Sequence, residues 1–232
     1  MKTDPFTIQT IPTVLYGEPC EKVYLFIHGQ GGNKEEAAAF ANVAVPAGYQ
    51  VLAIDLPEHG ERKDMPGAFN PWTVLPELEL VSAYLKERWS SISVRANSIG
   101  AYFSMLAFAD ERLEKALFVS PIVDLEKLIH DMMQWAGVSE DVLHEKLEIA
   151  TNFGQTLSWR YLCWVREHPL AAWSVPTFVL YPGHDAMTSR VTITNFVNLH
   201  KAASLCVYEP GEHWFHTEDQ LKALYDWEQI HI

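Results

Sequence analysis

The chain has 232 residues, 48% hydrophobic and 20% charged, a balance that excludes disordered and fibrous classes and supports one large buried core. Thirty acidic against seventeen basic residues give a net charge of −13, which sets the average surface against nucleic acid and anionic membranes. Cys20, Cys163 and Cys206 form no Cys-x-x-Cys pair, no apolar run approaches the roughly 20 residues of a membrane helix, and no apolar segment follows Met1-Lys2-Thr3-Asp4-Pro5, so a cytoplasmic protein without membrane insertion is expected.

In chain order, Phe6 to Ile11 and Val14 to Tyr16 flank Pro12-Thr13 and predict a hairpin at a sheet edge, where proline's missing donor matters least. Runs rich in Val, Ile, Leu and Phe then predict strands at Val23 to Ile27, Gln50 to Ile54, Ile92 to Ala96, Ala116 to Ser120, Thr177 to Tyr181 and Leu205 to Tyr208. Helical spacing falls between them, from Lys34 to Ala47, Trp72 to Trp89, Ile99 to Asp110 and Glu218 to Ile230. Alternation of this kind predicts an α/β domain with a mostly parallel, doubly wound sheet and helices on both faces. The rhythm breaks from Pro121 to Ser174, a stretch with Trp135, Trp159, Tyr161 and Trp164 that reads as a helical insertion. With no internal repeat or Gly/Ser linker, residues 1–232 are expected to form a single domain.

The strand ending at Ala96 runs into Asn97-Ser98-Ile99-Gly100 and then an apolar helix. A strand that turns sharply into a helix exposes its central side chain, and small neighbours allow the close approach, so Ser98 is the candidate nucleophile. The bland reading is a serine that caps a helix. A serine hydroxyl needs a base, and the base needs a carboxylate to orient it. Asp185 follows the strand Thr177 to Tyr181 in Pro182-Gly183-His184-Asp185, and His213 follows the strand Leu205 to Tyr208 in Gly211-Glu212-His213, so both lie beyond the C-terminal ends of strands, where open α/β sheets gather their sites. Amide donors for a developing oxyanion are expected from Ile99 and from Gln30, in the loop His28-Gly29-Gln30-Gly31-Gly32-Asn33. A dinucleotide loop is excluded there, since Lys34 stands where its third glycine would be.

These elements, with Asp55-Leu56-Pro57-Glu58-His59-Gly60, resemble the α/β-hydrolase superfamily along nearly the whole chain. The resemblance implies a sheet of about eight strands, a Ser98-Asp185-His213 triad, no cofactor and a helical cap at about 121–174; with these parts, cleavage of a small or medium acyl ester through an acyl-enzyme is the expected reaction. A thioesterase, amidase or carbon–carbon bond hydrolase would use the same parts, and a non-catalytic receptor for a small apolar ligand is the alternative of a different class. Two departures stand out: Ala96 replaces the first glycine of the elbow pattern, and Glu58 stands where glycine is common.

Competing residues are His216 as base, Asp124 as acid, and a zinc site from His184, Asp185, His213 and His216, for which the spacing is poor. His28 and His59 are expected to bond between loops. The aromatics of the insertion, with Met132, Met133 and Trp214, are candidates for either pocket lining or local core.

Overall fold

Side chains alternate across a strand, and the computed structural model, which describes residues 1–232, sorts them accordingly onto two apolar layers. An antiparallel hairpin of β1 (Thr3–Ile8) and β2 (Ile11–Tyr16) leads into β3 (Lys22–Ile27), α1 (Ala37–Ala44), β4 (Gln50–Ile54), α2 (Pro71–Lys86), β5 (Ser91–Asn97), α3 (Ile99–Ala107) and β6 (Ala116–Val119). The inserted segment holds α4 (Leu125–Ala136), α5 (Glu140–Lys146), β7 (Glu148–Ala150), β8 (Thr156–Ser158) and α6 (Trp159–Glu167). The chain closes with β9 (Thr177–His184), α7 (Arg190–Leu199), β10 (Ala203–Glu212) and α8 (Glu218–His231).

The main sheet has eight strands in the order β1-β2-β4-β3-β5-β6-β9-β10. Only the β1–β2 and β2–β4 pairs are antiparallel; the other five are parallel. Val23, Leu25 and Ile27 of β3 enter a core with residues of α2, α3, α7 and the insertion, whereas Tyr24 and Phe26 face α1 and α8. Residues of β4, β6 and β9 divide the same way, so helices cover both faces of a mostly parallel sheet.

Three local expectations are corrected. The hairpin turns at Gln9-Thr10, with Gln9 at φ 53°, while Pro12 lies inside β2 opposite Thr7; the ladder tolerates it because its carbonyl still accepts from the Asp55 N–H. Proline therefore marks the strand here and not the turn. Helix α7 lies where the sequence pattern predicts no helix, although Ser189 caps it by accepting from the Thr192 N–H and it buries Ile193 and Phe196. The inserted segment is not wholly helical, since β7 and β8 pair as a small hairpin. No helix is long and apolar enough to cross a membrane.

Candidate active site

Strand β5 lies between β3 and β6 and delivers Ser98 at its C-terminal end. Ser98 has φ 50° and ψ −123°, a conformation that costs an L-residue on the order of 1–3 kcal/mol and persists only where surrounding bonds impose it. Those bonds are present: the Ser98 N–H donates to the Val119 carbonyl at 3.0 Å, and its own carbonyl accepts from Ala101 and Ile122, both at 3.1 Å. Gly100 is required by contact, because a Cβ there would stand 2.5 Å from the His28 carbonyl oxygen and 2.8 Å from that of Ile27. Ala96 is fully buried in β5, level with Ile27 and Phe118, so a methyl group is accommodated at that position of the turn.

The Ser98 Oγ is 2.8 Å from Nε2 of His213, and the other ring nitrogen, Nδ1, is 2.9 Å from Oδ1 of Asp185. With Nδ1–H donating to the carboxylate, Nε2 is left to accept from the serine hydroxyl. Asp185 is fully buried at its side chain, and the same Oδ1 accepts from the backbone N–H of Met187 at 2.7 Å and of Thr188 at 3.0 Å. The Tyr181 hydroxyl donates to the Thr188 carbonyl and the Thr188 hydroxyl to that of Pro121, tying this turn to the end of β6. Asp185 Oδ2 is buried without a hydrogen-bond partner.

Of the expected oxyanion donors, Ile99 follows Ser98 directly in the chain and Gln30 follows Gly29 in the first loop. Gly29 lies against Ser98, so that a Cβ on it would be 3.0 Å from the Ser98 Cβ, and the Gln30 amide follows directly. Neither Gln30 nor Ile99 spends its N–H on a backbone carbonyl.

Other candidates are placed elsewhere. His216 Nδ1 donates to the Trp214 carbonyl, and its ring stacks on the exposed Trp214 at 4.9 Å. Asp124 caps α4 by accepting from the Lys127 N–H at 2.9 Å. Of the insertion aromatics, Tyr161 reaches Trp72 of α2 at 5.8 Å, whereas Trp135 is half exposed against Phe153, Trp159 packs on His144 and Trp164 stacks on His168. Met133 is buried in the larger core and Met132 packs against it.

No family model matches this chain, and no curated protein matches it. Solved structures do. An entire-length match is the Est1E protein from Butyrivibrio proteoclasticus with ferulic acid bound, 18% identical with a TM-score of 0.77 over 98% of this chain and 97% of that one. A putative hydrolase from Agrobacterium vitis S4 is 14% identical with a TM-score of 0.78, covering 99% and 98%. An alpha-beta serine hydrolase homologue from Coxiella burnetii is 14% identical with a TM-score of 0.68, covering 100% and 97%. The chain has the α/β-hydrolase fold.

Within that fold, the two loops nearest the elbow are cross-braced by neutral histidines. His28, on the first loop, accepts from the Leu56 N–H of the second at 3.0 Å; His59, on the second, accepts from the Gly31 N–H of the first at 2.9 Å. Each ring's Nδ1 lies 2.7 Å from a carbonyl of its own loop, Gly29 or Pro57, which fixes the tautomer. The rings are 5.0 Å apart. Burial, aided by His59 and Lys34, lowers the His28 pKa to about 4. Below the rings, fully buried Asp55 accepts from the Lys34 N–H, the Lys34 ammonium and the Glu61 N–H. Burial opposes its charge, and these bonds nonetheless bring its pKa below the ordinary value. Gly60, at φ 54°, packs so close to the Asp55 carboxylate that no larger residue fits. Glu58 takes the positive φ of 66° usually left to glycine, and its Oε1 accepts from the Phe69 N–H at 3.0 Å. That second departure thus fastens Phe69, whose ring lies 4.5 Å from His59 and 5.7 Å from Phe103.

Proposed function

We propose that this chain is a serine hydrolase that cleaves carboxylic esters of small to medium acyl groups through an acyl-enzyme on Ser98. The observation that carries the reading is the continuous line from Ser98 Oγ through His213 to Asp185, with distances of 2.8 and 2.9 Å, ending on a serine held in a strained turn. His213 takes the hydroxyl proton as Oγ attacks the ester carbonyl carbon. The carbonyl oxygen, now negative, accepts from the Gln30 and Ile99 amides, each worth on the order of 3 kcal/mol in such sites. Collapse breaks the carbon–oxygen bond to the alcohol, which leaves with the proton that His213 returns. Water then attacks the acyl-enzyme, again giving its proton to His213, and the acid departs as Ser98 regains its hydrogen. Asp185 holds the imidazole tautomer and balances the imidazolium.

Residues 121–174 act in this reading as a cap, which meets α2 where the Tyr161 ring lies 5.8 Å from that of Trp72. The partner is a small molecule and no cofactor is required. A cytoplasmic setting suits the three free cysteines. A thioester is the second reading, favoured by the full-length likeness to a thioesterase domain from the curacin biosynthetic pathway, 17% identical with a TM-score of 0.64 over 98% of this chain and 99% of that one.

A fluorophosphonate probe is expected to label the native protein and to leave Ser98→Ala unlabelled. Folded native protein that resists the probe would overturn the proposal. Turnover of a p-nitrophenyl ester and a thioester of the same acyl group then separates the two readings, with the faster kcat/KM naming the substrate class.

A further inference from the structure

Arg95 is one of the largest fully buried side chains of the protein, and it sits in the central strand β5, three residues before the nucleophile. A guanidinium cannot shed its charge, so burying it in a sheet demands compensation. Its Nε donates to Glu228 Oε1 of α8 at 2.8 Å, in a pair whose side chains are 2% and 5% exposed. Its Nη1 donates to Asn97 Oδ1 at 2.5 Å. Phe26 and Phe40 lie 5.5 and 5.7 Å from the guanidinium carbon, so the charge also rests against two aromatic rings.

Asn97 is the residue immediately before Ser98, on the same side of β5 as Arg95 because the strand alternates. The arrangement extends to the first loop. Burial raises the Glu36 pKa, while the Asn33 N–H, the charge of Arg95 and the Asn97 side chain pull against it, so these groups share one neighbourhood. A Cβ at Gly32 would meet the Glu36 carboxylate at 2.8 Å, which puts that carboxylate directly against the loop carrying Gln30.

Resting on the hydrolase reading, we propose that Arg95 and Asn97 are positioning residues: Arg95, anchored to α8 by Glu228, holds the Asn97 side chain and thereby sets the angle at which Ser98 meets His213 and the Ile99 amide. Burying the pair has a purpose that packing alone does not supply, since an apolar residue at position 95 would fill the space without reaching Asn97. Glu228 makes the final helix part of the active-site frame, far in sequence from the elbow it steadies.

The test compares Asn97→Leu, Asn97→Asp, the double variant Arg95→Met/Glu228→Met, and the triple variant, using p-nitrophenyl acetate turnover, inhibition by an alkylboronic acid and thermal melting. Asn97→Leu keeps the Arg95–Glu228 pair but strips Nη1 of its acceptor, so its Tm is expected to fall modestly while the protein stays folded at the assay temperature. Its kcat should fall roughly 10- to 100-fold with KM within about twofold, and boronic acid affinity should fall in parallel, because a tilted elbow harms the tetrahedral state more than the bound ester. Asn97→Asp keeps an acceptor for Arg95 and should recover most of the rate. The double variant, which leaves no unpaired buried charge, should fold and lose kcat to a similar extent, and the triple variant should lose no more. Native kcat in Asn97→Leu, or losses that simply multiply in the triple variant, would overturn the proposal. Native protein that neither turns over ester nor takes the fluorophosphonate would sink the hydrolase reading and this one with it, an outcome distinguished by the native control alone.

Discussion

Ser98 and the Gln30 loop ride on β5 and β3, interior strands paired on both sides, whereas Asp185 and His213 follow β9 and β10, and β10 is the last strand of the sheet. The first arm is held through backbone: a strained Ser98, a glycine pressed against two carbonyls, and two histidines that accept from opposing loops. The second is held through side chains. Asp185 Oδ1 gathers three donors while Oδ2 has none, and of the ten residues of β10 only Gly211 is buried. The difference teaches that Ser98 and the loop beside it share the rigidity of the sheet centre, while His213 is brought to Ser98 by an edge strand and one carboxylate.

The largest effects test the junction of the two arms. Ser98→Ala and His213→Ala are each expected to lower kcat for p-nitrophenyl acetate by about 10⁴-fold or more, and His216→Ala to leave it within about twofold. Loss of activity only in the His216 variant would reassign the base and break the comparison at its centre.

Acid stability probes the first arm. His28 is neutral when folded with a pKa of about 4, against an ordinary value of 6.5, so the unfolded chain binds the extra proton first as pH falls. Its contribution is fully present above pH 6.5 and is lost between there and pH 4, an expected decline of roughly 3 kcal/mol in the unfolding free energy measured with urea. In His28→Gln, which keeps an acceptor and cannot titrate, that part of the decline should vanish. An unchanged pH slope would show that the brace is not carried by this ring.

Glycine substitutions compare the arms directly. At Gly100 a Cβ would strike carbonyls of the interior strand β3 and its loop, and at Gly183 it would lie 2.4 Å from the Glu209 carbonyl of the edge strand β10. Both are clashes with backbone, but β10 has a free side toward which to move. Gly100→Ala is therefore expected to cost about 3 kcal/mol and Gly183→Ala about 1 kcal/mol. Equal losses of stability in chemical denaturation would contradict the assignment of a rigid and a yielding arm. The smallest effect belongs to the exposed Arg190–Glu209 ion pair on the second arm, where Arg190→Ala should leave the Tm unchanged within error.

Much of this architecture is legible from local pattern. The five strands β3, β4, β5, β6 and β9 start within a residue of their expected places, because Val, Ile, Leu and Phe are dense where both faces of a strand are buried. Edge strand β10 runs beyond the Leu205 to Tyr208 that the pattern predicts, since its apolar signal fades toward solvent, and its register shifts between Tyr208 and Glu212. Helix α7 carries legible signals in Ser189, Ile193 and Phe196, hidden by the exposed Val191 and Leu199 that blur its apolar stripe. Arg95 within Ile92-Ser93-Val94-Arg95-Ala96 is itself a signal, a charge in a strand otherwise suited to burial, yet nothing nearby in sequence names its partner.

By itself the sequence determined the alternation of strands and helices, the turn at Ser98, and the chain order in which a hydroxyl, a carboxylate and an imidazole follow the ends of three strands, because each depends on residues within one element or loop. The tertiary structure alone decided that His213 and not His216 meets Ser98 across 115 residues, and that Arg95 pairs with Glu228 across 133. Those partners follow from β9 lying beside β6 and from α8 covering the face opposite α3, relations set by long-range pairing and packing that no local period encodes.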